Sequence, residues 1–196
     1  MHLVFDIFQG IGIAAAVGIR PFLPALAVGA MADANAQIDF KHTDFSFLQS
    51  PGFLLAMAVC AIILALAERR FGLARLETRG PATLIGLASV ALGALLFAGS
   101  LCRGHYAIWP GLVGGVVCAL VAIAATRPIF IRARSRLDDA GAAALPLYAE
   151  AAGLAVAALS VIAPPVGPIV LALLLWMLFA GRRRDGQKYA GLRILR

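Results

Sequence analysis

Apolar residues along this chain gather into five long stretches separated by short polar segments. The first runs from Leu3 to about Met31 and is interrupted by Arg20-Pro21-Phe22-Leu23-Pro24. A polar segment, Asp33 to Ser50, follows. Three uninterrupted stretches cover about Pro51–Ala67, Ala82–Leu101 and Ile108–Ala125. The last extends from Leu145 to Ala180, with a break at Ala163-Pro164-Pro165-Val166-Gly167-Pro168. A membrane-crossing helix needs roughly 20 apolar residues, so the three middle stretches each fit one crossing. The last stretch, as one helix, would measure roughly 54 Å against a hydrocarbon core of ~30 Å. A helical hairpin is therefore expected, with legs of about Leu145–Ile162 and Val166–Ala180. For the first stretch two readings stand. The analogous break favours folding back at Arg20, whereas the short leg before Asp33 favours a kinked single crossing. The pattern predicts an all-α polytopic membrane bundle of about six or seven membrane segments, with residues 1–196 forming a single integral membrane domain.

Composition supports this reading. Of 196 residues, 62% are hydrophobic and only 14% charged, with a mean hydropathy of +0.91. Soluble domains average roughly 45–50% apolar and about 25% charged. A soluble core of this size cannot hide so much apolar surface, and a disordered chain would lack it. The net charge of +7 would suggest nucleic acid in another setting. Here it sorts by membrane side instead. Segments 68–79, 127–139 and 181–196 hold 14 of the 17 Lys and Arg residues, while 33–50 and 102–106 hold only Lys41 and Arg103. The positive-inside rule makes the three basic segments cytoplasmic, including a basic tail at 181–196. Segments 68–79 and 127–136 interleave apolar residues with arginines, so short interfacial elements on anionic headgroups are an alternative to plain loops.

The N-terminus lacks the basic start of a signal peptide and carries Asp6 instead, so the first stretch is expected to be a retained membrane segment. The three cysteines, Cys60, Cys102 and Cys118, form no CxxC, which argues against a disulfide framework or a zinc site.

The two broken stretches echo each other at an offset of 144 residues. Pro21 and Pro24 align with Pro165 and Pro168, and Asp6 aligns with Glu150, each acid fifteen residues before the first paired proline. Breaks in membrane helices free backbone groups that need partners, and they persist where buried in protein or lining a cavity. Paired breaks in corresponding parts of a chain point to transporter binding sites.

Arg20 is the most pointed candidate for chemistry. It is the only basic residue among the first thirty and sits inside apolar sequence. A charge at such depth needs a partner, water access or a function. Its guanidinium suits a carboxylate or phosphate, and the half-helix after it would add a positive end. An anion site results, or a salt bridge to Asp6 or Glu150. Asp6 and Glu150 are candidate counter-charges or proton carriers, and helix N-terminal acids in the plainer reading. Glu68, directly before Arg69 and Arg70, is expected to pair at the interface. Asp33, Asp39, His42, Asp44 and His105 have ligand chemistry but no metal spacing, so no metal or other cofactor is expected. Gly86, Gly93, Gly111, Gly114 and Gly115 suggest close helix packing. No Ser-His-Asp set, P-loop or HExxH occurs.

The run Gly10-Ile11-Gly12-Ile13-Ala14-Ala15-Ala16-Val17-Gly18-Ile19-Arg20-Pro21-Phe22-Leu23-Pro24 resembles the N-terminal signature of an uncharacterised bacterial membrane-protein family, labelled only as a domain of unknown function. The ending Lys188-Tyr189-Ala190-Gly191-Leu192-Arg193-Ile194-Leu195-Arg196 is similar to that family's C-terminus. The resemblance implies a multi-span bacterial inner-membrane protein and supplies no substrate or site.

The expected function is a small transporter or channel-like protein. Its two breaks would meet near mid-membrane, placing Arg20, Pro21, Pro24, Pro165 and Pro168 around an anion or polar solute. Asp6 or Glu150 would supply counter-charge. So small a unit would work as a homo-oligomer among membrane lipids. A non-transporting scaffold or lipid-interacting protein with a basic face is the alternative. A lipid-headgroup enzyme ranks third, because no nucleophile–base pair is visible.

Overall fold

The computed structural model describes residues 2–72 and 79–190, and among these it contains seven α-helices. They are α1 (His2–Ile19), α2 (Phe22–Asp33), α3 (Pro51–Phe71), α4 (Arg79–Arg103), α5 (Ile108–Arg134), α6 (Asp139–Ile162) and α7 (Val166–Ala190), with a short 3-10 turn at Ser46–Gln49. Four helical segments are long and apolar enough to cross a membrane: Pro51–Phe71, Gly80–Arg103, Ile108–Arg134 and Gly141–Ile162. Shorter apolar helices cover Leu3–Ile19, Phe22–Asp33 and Val166–Gly181. The architecture is a polytopic helical membrane bundle.

The chain folds back at Arg20. The Arg103 guanidinium, at the end of α4, lies 3.7 Å from the Asp6 carboxylate near the start of α1. The same group donates to the Gln37 carbonyl just after α2, at 2.6 Å. The start of α1 and the exit of α2 therefore share one end of the bundle, and Arg20 lies at the other. Proline chemistry explains where the chain turns. Pro21 precedes α2 and Pro24 occupies its third position, where a missing N–H costs nothing because first-turn amides have no intrahelical partner. The second hairpin repeats the device, with Pro165 just before α7 and Pro168 at its third position. Its connection is closed by Val166 N–H to Ala163 O and Gly167 N–H to Pro164 O.

The short α2 is completed by the polar segment after it, which is no simple loop. Ile38, Phe40 and Leu48 from this segment are fully buried, and the Gln49 side chain accepts from the Phe40 amide at 3.0 Å. The segment caps the Asp6 end of the bundle. From there α3 starts on Ser50, whose hydroxyl accepts from Phe53 N–H, and runs back to the Arg20 end.

Helix α1 is the axis. It packs against α4, α5, α6 and α7, and Ile13 to Val17 are fully buried. Small residues permit this. A Cβ added to Gly12 would collide with the Ser160 hydroxyl and the Gly167 backbone, and one on Gly18 with Ala119 and Ala122. The α4–α5 hairpin closes in the same way, Gly111 against Ala98 and Gly115 against Gly93 and Ala94. Backbone approach of this kind replaces the hydrophobic effect as the adhesive between helices in lipid. Gly86 departs from the expectation, because nothing lies within 4 Å of where its Cβ would be. Buried hydroxyls return their hydrogen bonds to their own helices, as with Ser100 to Leu96 O and Ser160 to Val156 O.

Two expectations for the basic segments change. Residues 127–134 are no separate interfacial element: α5 continues through Pro128 to Arg134. Helix α7 likewise stays helical to Ala190, beyond the expected end of its apolar leg. Residues 73–78, half of the other basic segment, lie outside the described residues, as does the C-terminal run 191–196. The ends of α3 and α5 and the start of α6 gather at the Arg20 end, with Arg69, Arg70, Arg127, Arg132 and Arg134 on them. Gly181 of α7 reaches the same end near Arg132. This is called the basic end below.

Gly12→Leu should destabilise the bundle by about 1–3 kcal/mol through overpacking, read as a lower midpoint of thermal unfolding in detergent. Gly86→Ala should leave the midpoint unchanged or raise it slightly. A Gly12→Leu protein as stable as the parent would contradict the close packing of α1 on the α6–α7 turn.

Candidate functional site

Arg20 interrupts the helices, being the one residue between α1 and Pro21 without helical structure. The turn directs its side chain into the bundle, where only 13% of it is exposed. Two helices far away in sequence bring carboxylates to it. Glu68, one turn before the end of α3, accepts a hydrogen bond from Arg20 Nη1 at 2.5 Å. Glu150, mid-way along α6, places Oε1 3.8 Å from Arg20 Nε. Both carboxylates are largely buried. Gly153, one turn beyond Glu150, lets α6 come close, since its Cβ position faces Pro24, the Ala16 carbonyl and the Arg20 stem.

The charge balance of this cluster differs from the expected anion site. One guanidinium faces two carboxylates, so the three groups sum to minus one when ionised. Arg20 donates through Nη1 to Glu68 and holds its Nε beside Glu150, so its charge already faces protein carboxylates. The second oxygen of Glu150 is buried and accepts no hydrogen bond from the described residues. Buried polar atoms nearly always have a partner, which makes this oxygen the unsatisfied point of the site.

Two cavities flank the cluster. The first, about 170 Å³, lies among α1, α4, α5 and α6, with Arg20, Pro21, Glu68, Gly86 and Ser89 on its wall. The second, about 650 Å³, lies among α2, α3 and α6, with Leu23, Ala65, Glu68 and Glu150 on its wall. Glu68, Arg134 and Pro146 line both, so the Arg20–Glu68 pair stands between the two spaces. Gly86 contributes room to the first cavity and no helix contact.

The remaining candidates sort as follows. Pro21 lines the first cavity and Pro24 packs under Gly153, so both belong to the Arg20 site. Pro165 and Pro168 do not. Their turn sits against the other half of α1, with Gly167 on the Phe8 carbonyl and the Gly12 amide, and Gln9 donating to the Val161 carbonyl at 3.3 Å. Residues 12 and 20 of α1 are separated by roughly 12 Å of helix rise, so the breaks do not meet at mid-membrane. The physical reason is direction. α1 and α6 run antiparallel, Gln9 beside Val161 and Arg20 beside Gly153, which sends their C-terminal breaks to opposite ends. Asp6 is buried and pairs with Arg103 instead of Arg20.

Glu68, expected to form an interfacial ion pair beside Arg69 and Arg70, reaches Arg20 instead. Adjacent helix positions do not face each other, and that rule is the signal that could have freed Glu68 for a distant partner. Among the described residues, no three His, Cys, Asp or Glu side chains gather as metal ligands.

The family described as Domain of unknown function (DUF4126) matches residues 7–184. No curated protein and no solved structure matches the chain.

Arg20→Ala should be strongly destabilising, by about 3–5 kcal/mol, because it strands two buried carboxylates. Adding Glu68→Gln and Glu150→Gln to it should recover much of that loss. The check is the thermal midpoint of the single and triple variants in one detergent. Equal midpoints for parent and Arg20→Ala would contradict a buried cluster.

Proposed function

The chain belongs to the DUF4126 family, and from the geometry of its own residues we propose that it is a small membrane transport protein with its polar site at Arg20, Glu68 and Glu150. One observation carries this reading: members of the ionic cluster line two cavities between helices. A purely structural ion pair needs no such space around it. The charge balance favours a proton, a cation or a neutral donor of hydrogen bonds over an anion at the cluster itself. The basic end would face the cytoplasm of a bacterial inner membrane, because membrane proteins retain Lys and Arg there. The C-terminus would then be cytoplasmic and the capped Asp6 end external.

The two hairpins support a transport cycle. They carry the same proline spacing and run in opposite senses, as inverted repeats of transporters do. Under the offset of 144 residues, Asp6 corresponds to Glu150, and each acid sits near an arginine at its own end of the bundle. In the proposed cycle the cavities on the basic side are open while the Asp6–Arg103–Gln37 contacts close the other end. The reverse arrangement would break those contacts and close the cavities.

A second reading, a lipid-interacting scaffold, is favoured by the exposed Arg69 and Arg70 at the end of α3, which suit anionic headgroups. It leaves the flanking cavities without a role.

The test is flux in proteoliposomes, with protons, inorganic cations, organic cations and neutral polar metabolites offered in turn. The parent should carry at least one of them, and Glu150→Gln should lower that flux by about tenfold or more, since charged contacts at such a site are worth ~1.5–3 kcal/mol. No flux for any of the four classes would contradict transport and leave the scaffold reading.

A further inference from the structure

The larger cavity is a groove with a side. Helix α3 leans on α2 and the 3-10 turn, and Leu64 is its only buried residue. The short α2 forms the floor through Leu23, while Ala61 and Ala65 of α3 and Leu147 of α6 form apolar walls. Ala65 and Leu147 are also exposed on the bundle surface, so the groove opens sideways between α3 and α6 towards the membrane. Along α3 it extends from Ala61 to Gly72, roughly 16 Å of helix and about half the thickness of a hydrocarbon core.

The groove's chemistry is that of an amphiphile's complement. A volume of about 650 Å³ is the size of an organic-molecule pocket. It is far too roomy for a dehydrated metal cation, which wants about six oxygen ligands. The apolar walls suit a hydrocarbon body. The polar corner holds Glu68, already bound by Arg20, and Glu150, which lines the groove and whose buried Oε2 accepts no hydrogen bond from the described residues. A group placed there must donate hydrogen bonds and is favoured if it is positive. Arg69 and Arg134 also line the groove, on the α3 and α5 ends that form the basic end, and their charge opposes a cation arriving from the water there. On the side between α3 and α6 the exposed lining residues Ala65 and Leu147 are apolar.

We propose that this groove binds an amphiphilic ammonium, which enters from the membrane and sets its charged head against Glu150 and its hydrocarbon along Ala61, Ala65 and Leu147. This names the substrate class of the site described above and rests on reading that cluster as a solute site.

The experiment is saturable binding of radiolabelled octylammonium to the purified full-length protein in lipid nanodiscs, with octanoate and octanol as competitors. Octylammonium should bind, octanoate should not compete, and octanol should compete only weakly. Glu150→Gln should weaken binding about tenfold, the scale of one charge-assisted hydrogen bond. Ala65→Trp, which fills the groove and leaves both carboxylates in place, should weaken it as well and guards against misfolding of the glutamate variant. Absence of saturable octylammonium binding, or binding indifferent to both substitutions, overturns the proposal. Proton or inorganic-cation flux by a protein that binds no octylammonium overturns it while leaving the transport reading intact. Octylammonium binding without any flux supports it and removes only the transport reading.

Discussion

A guanidinium inside an apolar bundle has to be satisfied by the protein, and much of this structure follows from how Arg20 is satisfied. The residue stands where the chain reverses, so its position is tied to the backbone and not to a flexible loop. Its partners come from α3 and α6, which both pack on α2. The ion cluster thus ties three parts of the chain together at one end of the bundle. Because two carboxylates meet one guanidinium, the tie is not electrically complete. Glu150 lines the larger cavity, and the structural and the proposed functional roles of the cluster share that residue.

The opposite end is held by different means. There Arg103 bridges Asp6 and the Gln37 carbonyl, and the 33–50 segment inserts Ile38, Phe40 and Leu48 into the core. Between the ends, α1 is a run of glycine and alanine that allows backbone to meet backbone. The bundle is therefore close-packed along its middle, and the two cavities beside the ion cluster lie towards the basic end. That asymmetry is what a carrier caught open to one side would show, and inversion of the two hairpins supplies the complementary arrangement in the proposed cycle.

Much of this fold is legible in the residues themselves. The prolines marked both breaks, because a residue without an N–H is tolerated only in the first turn of a helix. The excessive length of 145–180 predicted the second hairpin. The first hairpin was not decidable in the same way. The leg from Phe22 to Asp33 is too short to span lipid alone, and nothing in the polarity of 33–50 announces that Ile38, Phe40, Phe45 and Leu48 complete the core. Depth was equally hidden. A shared proline spacing says that two turns are alike but not that antiparallel packing sends them to opposite ends. Glu68 was obscured by its arginine neighbours, and Gly86 by the resemblance of a cavity-lining glycine to a packing one.

In the proposed transport cycle the space beside the Arg20–Glu68–Glu150 cluster is open to water from the basic end. Gly86→Cys places a thiol on the first cavity without a clash, and Leu84→Cys places one on the exposed outer face of α4. A membrane-impermeant maleimide should label position 86 in vesicles that present the basic end outward. Labelling should fail at position 84, and at position 86 in vesicles of the opposite orientation. A thiol at position 86 that stays unlabelled from the basic side, or reacts equally from both, would contradict the account.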